Sequence, residues 1–111
     1  MYLRDLLPDS PPAPVDEVGR VLLDAAQRLR ERGWCQYWAC DSELRVCMLG
    51  AIFDVRERSL DLSAHYNYAP QVVRNAASRM TSRKYDALWN DAPGRTAADV
   101  IAALTAAARQ P

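Results

Sequence analysis

The stretch Trp89-Asn90-Asp91-Ala92-Pro93-Gly94-Arg95-Thr96 limits this chain more than any other. A large apolar side chain runs into a compact polar turn built from residues that favour bends over regular structure. Thr96 is followed three residues later by Asp99, a capping-box-like helix start. A last helix is therefore predicted from about Ala97 to Ala108, burying Val100, Ile101, Leu104 and Ala108. Trp89 should anchor the turn that seats it.

Other helices follow from periodicity. Val15, Val18, Leu22, Ala25 and Leu29 recur at three-and-four spacing over Val15 to Arg32, the signature of one buried face. Asp16 and Glu17 open this helix and Arg28, Arg30 and Arg32 close it, as the helix dipole prefers. Gly33 is placed to end it with a positive φ. Met48 to Arg56 repeats the pattern, with Leu49, Ile52 and Phe53 on one face. Gly50 inside that helix costs about 1 kcal/mol against Ala unless something packs where its side chain would be. Pro70 marks a third start, and Val72, Val73, Ala76, Ala77 and Met80 form its stripe. Between Gly33 and Met48 the aromatic and thiol residues, with turn chemistry at Asp41-Ser42-Glu43, predict a small β-hairpin lying on the helices.

The expected architecture is mainly α: about four helices and one small β-hairpin on a single core. Residues 1–14 carry Pro8, Pro11, Pro12 and Pro14 after Leu3, Leu6 and Leu7 and read as a proline-rich extended leader. Residues 15–111 read as one helical domain. At 111 residues the chain can bury one modest core. Much of its apolar half is Ala, so the larger side chains carry that core. Lys84 is the only Lys among many Arg, which together with the Ala content reads as the coding bias of a GC-rich genome.

Charge narrows the partners. Lys and Arg balance Asp and Glu at 14 each, so no net field draws the chain to nucleic acid or to an anionic membrane. No run is apolar enough to span a bilayer, and no secretory signal is legible. Three cysteines in a short span do not make a disulfide framework. A reduced, cytoplasmic protein is expected.

The Trp89–Thr96 motif, with Glu31-Arg32-Gly33-Trp34-Cys35-Gln36 and Cys47-Met48-Leu49-Gly50-Ala51, resembles an uncharacterised family of small proteins from actinobacteria and their phages. The likeness runs from Val15 to Leu104 and implies no activity or catalytic residues. Against the family pattern the Cys35–Cys47 segment is short, and the proline-rich leader is particular to this chain.

Each candidate site has a structural reading beside the functional one. Asn90, Asp91 and Arg95 could hold an anion at the start of the last helix. The structural alternative has Asn90 and Asp91 bonding local backbone while Arg95 pairs with Asp91. Cys35, Cys40 and Cys47 could join His65 at a zinc ion, but C-x4-C-x6-C lacks the tight pairs of common sites. The metal expectation is therefore none. His65, with Asp91, is the weak catalytic candidate. Arg74, Arg79, Arg83 and Lys84 with Tyr85 could meet a phosphate backbone, or simply form a solvated helix face. Trp34, Tyr37 and Trp38 are either core or an exposed partner site.

The reading favours a small, non-catalytic binding or regulatory protein engaging a protein partner or a small anionic ligand. Its binding residues would be Trp34, Tyr37, Trp38, Asn90, Asp91 and Arg95. No cofactor is expected, and self-association through the leader stays open. The alternative is a small enzyme using His65, Asp91 and Arg95 on a phosphorylated or carboxylated substrate.

Overall fold

Helix α1 (Glu17–Arg32) is the element on which the other long helices lie. A computed structural model of the chain describes residues 15–57 and 68–110. His65 and the proline-rich leader lie outside the described residues. Among the described residues, α1 is followed by α2 (Met48–Glu57), α3 (Pro70–Ser82), the single turn α4 (Ala87–Asn90) and α5 (Ala97–Ala108). The chain is mainly helical, and α2, α3 and α5 all pack on α1.

The core forms where the predicted stripes meet. Val21, Leu22, Ala25, Ala26 and Leu29 of α1 close against Met48 and Ile52 of α2, Val73 and Met80 of α3, and Val100 and Leu104 of α5. Alanines at 25, 26, 76, 103, 107 and 108 are also buried. Such small residues let helix axes approach closely, which compensates for the modest area each one hides. No helix among the described residues is long and apolar enough to cross a membrane.

Helix ends follow local chemistry. Asp16, expected inside the first helix, instead caps it: its Oδ1 accepts from the Gly19 amide at 2.7 Å. Its backbone is extended (φ −68°, ψ 173°), so the helix begins at Glu17 and not at the predicted Val15. Gly33 closes the helix with φ 88° and donates its amide to the Leu29 carbonyl. The last helix keeps its predicted bounds. Thr96 Oγ1 accepts from the Asp99 amide at 3.2 Å, and Asp99 Oδ2 from the Thr96 amide at 3.0 Å. Helix α4 was not predicted; Asp86 caps it by accepting from the Trp89 amide.

Arg79 ties the far end of the bundle. It bonds Asp16 at 2.6 and 3.2 Å and the Ala107 carbonyl at 3.4 Å, joining α3 to the start of α1 and the end of α5. The Arg79 guanidinium beside Asp16 holds that carboxyl below the usual carboxylate range; the Gly19 amide adds to this, against the opposing effect of burial.

The expected β-hairpin is not formed. Between Gly33 and Met48 the backbone makes isolated bridges only, from Val46 to Trp34 and to Cys40. Strand alternation is broken by positive φ at Tyr37 (73°) and Leu44 (65°), which turn the chain where a hairpin needs extension. The segment instead wraps the buried Val46. Its carbonyl accepts from the Cys35 amide, and its own amide donates to the Gly33 carbonyl.

Helix α2 is also turned from its predicted face. Met48, Ala51, Ile52 and Val55 point inward, Leu49 is half-buried and Phe53 is exposed. Gly50 explains part of this rotation. A Cβ there would fall 2.1 Å from the Ala39 carbonyl oxygen, so the loop backbone lies directly on the helix at its glycine.

Candidate functional site

Asn90 ends α4 and is 2% exposed. A buried amide must find partners for both its oxygen and its nitrogen. Its Oδ1 accepts from Trp34 Nε1 at 2.7 Å and from the Met48 amide at 3.1 Å. Its Nδ2 donates to the Cys35 carbonyl at 3.2 Å and to Asp91 Oδ1 at 2.9 Å. One side chain thus satisfies the segment after α1, the start of α2 and its own neighbour.

The clasp widens on both sides of Asn90. Asp91 Oδ1 also accepts from the Tyr37 amide at 2.8 Å. Gln36 Nε2 donates to the Asn90 and Ala92 carbonyls at 3.1 and 3.0 Å. The predicted local Asx bonding of Asn90 and Asp91 is therefore replaced mainly by bonds to residues more than forty positions away. The predicted Arg95–Asp91 pair is replaced too. The Arg95 guanidinium lies 4.1 Å from the Trp89 ring centroid, and its Nε donates to the Trp89 carbonyl at 3.0 Å. The planar cation over the indole thus shares the Trp89 carbonyl with the Ala92 amide, which donates to it at 3.3 Å. Tyr85 meets the same indole edge-on at 4.8 Å.

Trp38 stands just beyond the pinned residues and in the opposite condition. Tyr37 and Trp38 are 73% and 67% exposed. Tyr37, Trp38, Ala39, Cys47, Leu49 and Ala87, with Asn90 and Asp91, line a hollow of about 230 Å³. Ala39 and Leu49 continue into a second hollow of about 370 Å³ that reaches Phe53 and Asp54. Across Trp38 lies a more polar cleft of about 410 Å³, lined by Trp34, Gln36, Asp41, Ser42 and Arg45 among others. Within it Arg45 Nε bonds Asp41 at 2.7 Å, which raises the Arg45 pKa above its ordinary value. At Asp41 desolvation pushes the carboxyl up, but the Arg45 and Glu43 amides and the Arg45 guanidinium outweigh it and hold it low.

Of the predicted site residues, Trp34, Asn90, Asp91, Tyr37 and Trp38 meet in one region. Arg95 stays with Trp89. The helix start near Arg95 has its Thr96 and Asp99 amides already engaged, with the Asp99 carboxylate beside them. The cysteines are dispersed in character: Cys35 buried, Cys40 exposed, Cys47 half-buried, and all three free. Burial pushes the Cys35 thiol up, and its Sγ lies 3.1 and 3.3 Å from the Trp38 and Arg45 carbonyl oxygens. Among the described residues no group of three His, Cys, Asp or Glu side chains is placed to hold a metal ion. On α3 and beyond, Arg74 bonds Gln71, Arg79 and Arg83 reach carbonyls near the chain's end, and Tyr85 is held against Trp89.

Sequence reasoning missed three participants. Gln36 gave no signal beyond its place in the Trp-Cys-Gln stretch. Phe53 was assigned to the core, yet is 48% exposed. Asp54 lies 2.8 Å from Arg32 and 3.7 Å from Arg28, an interhelical pairing that no local spacing encodes.

A family model described as a family of unknown function, DUF6197, matches residues 13–110, and the chain belongs to that family. Neither a curated protein nor a solved structure matches it.

Proposed function

We propose that this family member works by binding a protein partner through the surface around Tyr37 and Trp38. One observation carries the reading: two adjacent large aromatics stand in solvent on a backbone fixed from beneath. Tyr37 holds φ 73°, a conformation that costs a non-glycine residue on the order of 1 kcal/mol or more. The Asp91 carboxylate, itself held by Asn90, retains the Tyr37 amide in that geometry. The cost is consistent with a surface whose shape matters. Tyr and Trp dominate the binding energy of protein interfaces, especially beside apolar hollows that exclude water. A small anionic ligand is less well served, because the Arg95 guanidinium lies over Trp89 and the Asp99 carboxylate sits at the start of α5. Three free thiols fit a reducing compartment such as the cytoplasm.

The test is recovery of a discrete co-purifying protein by the tagged full chain, with Trp38→Ala and Arg74→Ala beside it. Trp38→Ala should reduce recovery at least about tenfold, a common loss at an aromatic hot spot. Arg74→Ala, on the exposed side of α3, should leave it unchanged. Equal recovery by wild type and Trp38→Ala would overturn the reading.

A further inference from the structure

We propose that the hollow between Trp38 and Asp91 receives an arginine side chain of the partner. The inference rests on the reading of Tyr37 and Trp38 as a docking surface, and adds the chemistry that the partner must bring to it. Asp91 lines the hollow together with Tyr37, Trp38, Ala39, Leu49 and Ala87. Its Oδ1 accepts from the Tyr37 amide and from Asn90 Nδ2, both neutral donors. Among the described residues its Oδ2 takes no hydrogen bond and the carboxylate makes no ion pair. Other carboxylates are matched by cations: Asp16 by Arg79, Asp41 by Arg45 and Asp54 by Arg32. Arg95, the nearest cation to Asp91 along the chain, is laid over Trp89 instead.

Charge selects the occupant. Asp91 is half-buried, so water solvates its charge while the surface is free. A partner that closes over Tyr37 and Trp38 takes that water away, and a carboxylate enclosed without a counter-charge is strongly disfavoured. The partner must therefore supply a cation at this point. Size and lining narrow that cation to arginine. The hollow encloses about 230 Å³, less than the roughly 300 Å³ at which pockets for free small molecules begin. It has room for one side chain. Ala39, Leu49 and Ala87 offer apolar contact to a methylene stem. A guanidinium is planar and more weakly hydrated than an ammonium, so it can lie on an aromatic face while it donates to a carboxylate. The chain makes this kind of contact internally, where the Arg95 guanidinium lies 4.1 Å from the Trp89 ring centroid.

The experiment titrates the full chain, with isotopically labelled tryptophan side chains, with N-acetyl-arginine amide. Trp38→Phe identifies the Trp38 indole signal, which should shift saturably. The citrulline analogue, of the same shape without the charge, should bind at least about tenfold more weakly, as expected for a lost charge-assisted hydrogen bond. The lysine and leucine analogues should also bind more weakly than arginine. Asp91→Asn keeps an oxygen for the Tyr37 amide but removes the charge. It should weaken the arginine probe by a similar factor and abolish the preference over citrulline, while the Trp34 and Trp89 signals stay in place and report an intact clasp. Glu43→Gln, which removes an exposed carboxylate outside the hollow, should change nothing. Equal binding of the arginine and citrulline probes by wild type, no saturable shift with arginine, or a tighter leucine probe overturns the inference. Each can be read without any variant. Partner docking is judged separately: if Trp38→Ala loses the partner and a folded Asp91→Asn retains it fully, the docking surface stands and the arginine pocket does not.

Discussion

Trp34 and Trp38 stand four residues apart and meet opposite fates. The Trp34 indole donates at 2.7 Å to Asn90 and is half-buried, whereas Trp38 is two-thirds exposed on the far side of the strained Tyr37. The pinned region, Trp34 to Gln36 against Asn90 to Ala92, spends nearly every polar group on the fold. The open region, Tyr37 to Leu44, keeps its large side chains outward. The difference teaches that aromatic content does not mark a binding surface; what marks it here is aromatic content left over after the internal partners are taken.

The comparison is broken most severely at Asn90. Asn90→Ala leaves the Trp34 indole, the Met48 amide and the Cys35 carbonyl without that partner, and should cost on the order of 3 kcal/mol. Urea unfolding measures it; a loss no greater than that of a surface substitution would remove the clasp from the account. Gly50→Ala moves the open region without touching the clasp. A methyl group 2.1 Å from the Ala39 oxygen must push the loop away, at about 2 kcal/mol. Trp38 indole signals should shift while those of Trp34 stay. Equal shifts in both would show that the two regions move as one body.

Asp16→Asn, at the Arg79 end, separates electrostatics from the clasp. The folded carboxyl lies below its unfolded value, so its contribution is full above the ordinary carboxylate range and disappears as pH falls through the lowered value. The variant should lose less than about 1 kcal/mol near neutrality, because Asp16 is partly exposed. Its stability should also fall less steeply on acidification, as pH-dependent unfolding would record. A slope identical to wild type would show that this pair carries no linkage. Trp38→Ala sharpens the comparison at its small end. It should change stability by no more than about 0.5 kcal/mol while abolishing partner recovery. A large loss of stability would place Trp38 with Trp34, among the residues that hold the fold.

Much of the fold was legible because it is local. The Thr96 and Asp99 box, Gly33 at the end of α1 and Pro70 at the start of α3 are each set by neighbours within four residues. The hairpin failed because alternating side chains do not reveal that Tyr37 and Leu44 take positive φ. The face of α2 failed because Gly50 was recognised as an opening for close packing, yet nothing local named Ala39 as what fills it. The candidate site was half legible: Asn90, Asp91, Trp34, Tyr37 and Trp38 all stood out as residue types, but their pairing did not.

The sequence by itself determined where the helices run and end, since capping and periodicity act over one or two turns. It also supplied the aromatic side chains and the buried amide. Only the tertiary structure decided which indole would be spent on Asn90 and which would face water. That choice depends on hydrogen bonds across more than fifty residues, and these exist only once α4 has been brought against the start of α2.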